Sequence, residues 1–152
     1  MVKFKFSNLK KIFLIAEAGI NHNGKIEQAF KLVDQAKISG ADSIKFQTYK
    51  TEKRVPRNSV IFDILKKCEL SNEDFYKLKK YCDKKKIIFF STPFDLESVD
   101  FLEKIKVNLY KISSFDISNI KLISYVAKKL KPTLVSTGMA DIDEIKKTHK
   151  LF

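Results

Sequence analysis

Apolar and polar positions along this chain fall into two alternating rhythms. Residues 12–17 form an unbroken apolar run that ends on the carboxylate of Glu17, the pattern of a buried strand. The chain then turns through Gly19 and Asn23-Gly24 into a stretch whose Ile26, Ala29, Phe30, Val33 and Ala36 recur on one face. That spacing predicts a helix over residues 25–39, ended by Gly40. A second strand, residues 43–49, follows three residues later, so the helix must pack back over a parallel neighbour. The alternation continues. Ser71 and Asp74 make a capping box for a helix to residue 85 with Phe75, Leu78 and Cys82 facing in. A strand over 87–90 ends in Ser91-Thr92-Pro93, and Asp95 caps a helix carrying Val99, Leu102 and Ile105. A strand over 108–113, a helix over 119–130, a strand over 133–136 and a last capping box at Asp141 and Glu144 complete the series. Between residues 50 and 59 the rhythm lapses into a basic stretch with Pro56, followed by an apolar patch at 61–65, and this is the longest loop expected. Residues 1–11 read as an N-terminal extension, a short strand or hairpin whose Phe4 and Phe6 cover one end of the core.

Five parallel β/α units at this spacing give an α/β fold, either an open doubly wound sheet or part of a (β/α)8 barrel. No GxGxxG follows the first strand, which weakens the dinucleotide-binding version. Alternation inside the strands weighs further. Ile44 and Phe46 share one face, leaving Lys45 and Gln47 on the other; Tyr110 and Ile112 leave Lys111 and Ser113 opposite. In an open sheet covered on both faces these lysines would lie under a helix, at a cost of several kcal/mol unless paired. In a barrel they point to a polar mouth. The expected architecture is therefore an incomplete (β/α)8 TIM barrel of about five units.

Composition changes this picture little. The 152 residues are 44% apolar, a globular balance, and no run approaches the roughly 18 to 20 residues of a membrane span. The start alternates Lys with Phe and lacks an apolar signal core, so a cytoplasmic location is the default. Cys68 and Cys82 lie outside any CxxC or metal spacing and read as reduced thiols, one of them buried. The net charge of +12 is spread over nearly every expected helix, without a basic stripe interleaved with stacking aromatics. Nucleic acid and membrane partners are not expected; small anionic molecules are.

Two inward lysines with Ser and Thr hydroxyls make a receptor for phosphate or carboxylate. Glu17, Thr92 and Ser136 stand at equivalent strand ends, and Glu17 can exchange a proton or hold a hydroxyl. His22 reads as a loop hydrogen-bonder, with metal ligation the lesser alternative, and His149 as surface.

The segments IAEAGINHNG, ADSIKFQTYK, FFSTPFD, YKISSFD and LVSTGM, in this order, resemble the N-terminal half of the sialic acid synthase family, including the legionaminic and pseudaminic acid synthases. The resemblance implies the barrel in residues 12–152, with its later strands and a small antifreeze-like domain absent from this chain. It implies condensation of phosphoenolpyruvate with N-acetylmannosamine or a related N-acetylated sugar, giving a nine-carbon ulosonic acid and phosphate. By motif, Lys45, Thr92, Lys111, Ser114 and Ser136 match positions that hold phosphoenolpyruvate, Glu17 the acidic residue near the sugar, and Gln47 and Asn21 weaker candidates. A divalent metal, Mn or Mg, is implied for the full-length family, with its ligands outside this chain. YKISSFD stands where some members carry Gly-Ser-Gly, which points to the legionaminic, pseudaminic and spore-coat branch. A homo-oligomer, or a complementing C-terminal half, is the expected partner. The alternatives are an inactive or split-gene fragment, and another phosphoenolpyruvate or sugar-phosphate barrel enzyme.

Overall fold

The computed structural model describes residues 11–152. The extension expected to cover the core with Phe4 and Phe6 lies outside the described residues. In chain order the elements are β1 (Ile15–Gly19), α1 (Ile26–Ile38), β2 (Ser43–Thr48), α2 (Thr51–Arg54), α3 (Phe62–Cys68), α4 (Asn72–Lys85), β3 (Ile88–Pro93), α5 (Leu96–Lys104), β4 (Tyr110–Ile112), a 3-10 turn (Ser114–Asp116), α6 (Ile120–Ala127), β5 (Thr133–Val135) and α7 (Ile142–His149). Among the described residues the strands form one parallel sheet in the order β1-β2-β3-β4-β5. A doubly wound sheet reverses its strand order partway across. Here the order never reverses, so successive crossovers of one hand stack the helices on one face, as in the first five units of a (β/α)8 barrel.

The helix-covered face holds the core. Ile44, Phe46, Phe89, Tyr110 and Ile112 from the strands pack in one buried cluster with Val33, Phe75, Leu78, Cys82, Val99, Leu102, Leu122, Ile123 and Val126 from the helices. Thr48 and Ser91 are buried on this face and share a 2.7 Å hydrogen bond, whereas Nε2 of the buried His22, close to Phe46, has no hydrogen-bond partner among the described residues. Both cysteines are free and buried, and burial pushes the Cys82 thiol up to about 12.

Helix starts follow the capping residues. Ser71 accepts from Asp74 N at 3.0 Å while the Asp74 carboxylate accepts from Ser71 N at 3.3 Å. Asp95 accepts from Ser98 N at 2.8 Å, and Asp141 and Glu144 form a reciprocal box at 2.8 and 3.1 Å. No helix among the described residues is long and apolar enough to cross a membrane.

Three boundaries differ from the sequence pattern. β1 begins at Ile15, because its ladder with β2 opens at Ile15↔Ser43, and Ile12 remains 87% exposed. β3 runs on through Ser91-Thr92-Pro93, whose pairing with β2 continues to Thr48↔Pro93. The expected long loop contains α2 and α3. Glu69 anchors this segment, accepting from Thr51 N at 3.0 Å, Thr51 Oγ1 at 2.8 Å and Lys50 Nζ at 3.2 Å. Tyr49 donates to Leu65 O at 2.9 Å.

Candidate functional site

The face opposite the helices gathers most of the sequence-predicted polar residues. Parallel neighbours in register project to the same side. Glu17 pairs with Lys45 and Lys45 with Phe90, so these three share that face. Gln47 pairs with Thr92; the pairing Ser91↔Tyr110 sets Thr92 level with Lys111, which pairs in turn with Leu134. Two polar rows thus cross the sheet near the carboxyl ends of its strands.

Lys45 forms an ion pair with Glu17; its side chain is 13% exposed and that of Glu17 51%. Lys111 Nζ donates to Ser136 Oγ at 2.5 Å and to the carbonyl of Ile112. Burial, and then the positive charge of Lys45, push the Lys111 ammonium down to about 8, while Glu17 restores part of the loss. The backbones of β2 and β4 stand two strand spacings apart, on the order of 10 Å, and the long side chains bring the two charges into each other's field. An anion placed between the two ammonium groups would relieve that repulsion.

At the exit of β1 the chain enters the left-handed region at Gly19, with φ of +54°. A Cβ built there would lie 3.2 Å from Glu17 Oε1, 3.9 Å from Gln47 Nε2 and 4.0 Å from Asn21 Nδ2, so three candidate residues surround a backbone without a side chain. Gly24, at φ of +72°, closes the same turn; a Cβ there would sit 2.0 Å from the carbonyl oxygen of Lys67, which excludes any side chain.

Thr92 is buried on β3 between Gln47 and Lys111. Ser114 opens the 3-10 turn after β4, and among the described residues its side chain shows no hydrogen bond to Lys45, Lys111 or Ser136. His22 is fully buried, accepts from Gly24 N through Nδ1 at 3.1 Å, and is held below its ordinary value by burial. It is the loop hydrogen-bonder expected. His149 is exposed on α7. No group of three or more His, Cys, Asp or Glu among the described residues could hold a metal ion.

Sequence reasoning missed Arg54. From α2 its guanidinium stacks 3.7 Å from the ring centre of Phe94 and 4.7 Å from that of Tyr49, and Nη1 donates to Gln47 Oε1 at 3.0 Å. Burial lowers its pKa from the ordinary value, partly offset by Tyr49 and Asp116. The basic stretch of residues 50–59 was the available signal, but its periodicity is nil and the aromatic partners are distant in sequence.

Comparison with known proteins agrees with this fold. A protein of Methanocaldococcus jannaschii named as uncharacterized is 50% identical over 133 residues, covering 88% of this chain and 40% of that protein. The N,N'-diacetyllegionaminic acid synthase of Legionella pneumophila is 41% identical over 148 residues, covering 88% of this chain and 42% of that enzyme. The structure of a sialic acid synthetase from Leptospira borgpetersenii superposes with a TM-score of 0.93 at 35% identity, over 98% of this chain and 54% of that one. The chain therefore spans less than half the length of the curated relatives it matches. With the profile of the NeuB family matching residues 32–152, and with these relatives alongside it, the chain belongs to the NeuB family.

Proposed function

We propose that this chain carries the phosphoenolpyruvate-binding part of a cytoplasmic enzyme that joins phosphoenolpyruvate to an N-acetylated amino sugar, forming a nine-carbon sialic-type acid and phosphate. The observation that carries this is the placement of Lys45 and Lys111 on one helix-free face, near enough for one charge to depress the other. Phosphoenolpyruvate offers a carboxylate and a phosphate, and two ammonium groups with the Ser136, Thr92 and Ser114 hydroxyls supply charges and directional donors for both. The names of the Legionella and Leptospira relatives support the class of reaction.

In the reaction, the enol carbon bonds to the aldehyde carbon of the open-chain sugar, whose oxygen takes a proton. Water adds to the resulting cationic carbon and gives up a proton, for which the half-exposed Glu17 carboxylate is the nearby base. The bond between that carbon and the phosphate oxygen then breaks as the new hydroxyl gives up its proton to the leaving phosphate, which leaves a ketone and inorganic phosphate. Lys45 and Lys111 hold the enol ester in line with the aldehyde and balance charge as it moves to the leaving phosphate.

The test is phosphate release with phosphoenolpyruvate, N-acetylmannosamine and a divalent metal, run with and without a polypeptide carrying the remainder of a full-length relative. Release that depends on both substrates and falls at least about 100-fold in Lys111→Ala is expected for a lost electrostatic contact to the reacting group. Release indifferent to the sugar, or unchanged in Lys111→Ala, would overturn the assignment.

A further inference from the structure

The orientation of the Gln47 amide is dictated by a neighbour outside the strands, Arg54. Arginine has donors only, so the atom of Gln47 that faces Arg54 must be the carbonyl oxygen. The amide N–H2 is thereby turned toward Gly19, 3.9 Å from the point a Cβ would occupy there, a point that Glu17 Oε1 approaches to 3.2 Å and Asn21 Nδ2 to 4.0 Å. A carboxylate acceptor next to an amide donor is the complement of a hydroxyl, which both donates and accepts. Arg54 is itself held by its surroundings. Its guanidinium sits in the corner between the edge-to-face rings of Phe94 and Tyr49, and no carboxylate among the described residues stands within ion-pair distance of it. The short helix bearing it is tied down at Thr51 by Glu69, and the preceding backbone N–H of Lys50 donates to Asp95 Oδ2 at 3.0 Å. The strand end, the helix and the aromatic pair all converge on fixing one amide.

We propose that Arg54 is a positioning residue for the acceptor sugar: seated in the corner of the Tyr49 and Phe94 rings, it locks the Gln47 amide with its N–H2 on the side of Gly19 and Glu17, and so presents a donor and an acceptor to a sugar hydroxyl. This rests on the function proposed above and adds to it a residue that acts through Gln47 without touching substrate. A freed amide would rotate between two orientations, one of which sets a carbonyl oxygen against the Glu17 carboxylate and repels the hydroxyl.

The experiment uses the 15N-labelled chain, saturated with phosphoenolpyruvate and titrated with N-acetylmannosamine, the Gly19 and Asn21 backbone amides reporting sugar binding. Arg54→Met should weaken sugar binding about fivefold or more, the size of one lost hydrogen bond, with the loss falling on the sugar and not on phosphoenolpyruvate. Gln47→Glu, which keeps an acceptor for Arg54 and replaces the amide donor with a carboxylate, should weaken it by at least as much. In a Gln47→Ala background, Arg54→Met should add nothing. Additive losses, an Arg54→Met chain that binds sugar normally, or no sugar-dependent shift at Gly19 and Asn21 despite bound phosphoenolpyruvate would each overturn the positioning role. Failure of phosphoenolpyruvate to bind the unmodified chain would instead overturn the function proposed above.

Discussion

Lys111 shares its face of the sheet with a second ammonium, and that sets the pH range over which it can work. Burial and Lys45 bring it to about 8, so it is charged below that pH and progressively neutral above it. Affinity for an anion is then full below about pH 8 and lost as the pH rises. Phosphoenolpyruvate, whose phosphate is already a dianion through this range, should bind roughly tenfold more weakly for each pH unit above about 8, as read by calorimetric titration. A flat profile would remove Lys111 from the contact set. Lys45 and Lys111 were legible in the sequence because each is flanked by apolar residues on alternate positions, Ile44 with Phe46 and Tyr110 with Ile112. Arg54 was not, since its environment comes from Tyr49, Phe94 and Gln47, which only the folded sheet brings together. Ser114 was legible as part of a motif alone, and its side chain makes no hydrogen bond with the lysines among the described residues.

At the scale of elements, α2 and α3 show why a polar loop can be ordered without any periodic signature. A helix of four residues completes barely one turn, so its sequence carries no stripe, and its stability comes from Glu69 outside it. Burial disfavours the charged Glu69 carboxylate, but the Thr51 N–H and O–H and the Lys50 ammonium outweigh this and hold it below the usual carboxylate range. A depressed folded value gives stability that is present above the unfolded value and lost as the pH falls through the folded one. Glu69→Gln should therefore lower unfolding free energy at neutral pH by about 1.5–3 kcal/mol and flatten the loss of stability below about pH 4.5, measured by urea unfolding. Equal stability of both proteins at pH 7 would show that the carboxylate does not anchor α2. The capped helices, by contrast, were readable outright, because Ser71, Asp95 and Asp141 each act within three residues of themselves. The end of β3 was misplaced since polar Ser91-Thr92 resembles a strand exit, while backbone pairing to β2 takes no account of side-chain polarity.

For the whole molecule, the number and order of β/α units followed from spacing, and the choice between open sheet and barrel followed from the two lysines that could not lie beneath helices. The described sheet leaves the outer edges of β1 and β5 unpaired, and Ile12 and Leu14 stand exposed beside the first of them. Unpaired edges recruit further strands. Size-exclusion chromatography of the 17.6 kDa chain should give a larger species or visible association, and a monomer that unfolds cooperatively would contradict this. One property of the sheet bears on how the two lysines can move. β2 and β3 run in register from Ser43↔Ile88 to Thr48↔Pro93, whereas β3 meets β4 at the single pair Ser91↔Tyr110. Lys45 and Gln47 therefore ride on one plate and Lys111 and Ser136 on another, with a seam of minimal backbone bonding between them. Of the four ladders of the described sheet, the one that separates the two ammonium groups carries the fewest backbone pairs, so a change in the gap between them breaks the least backbone bonding.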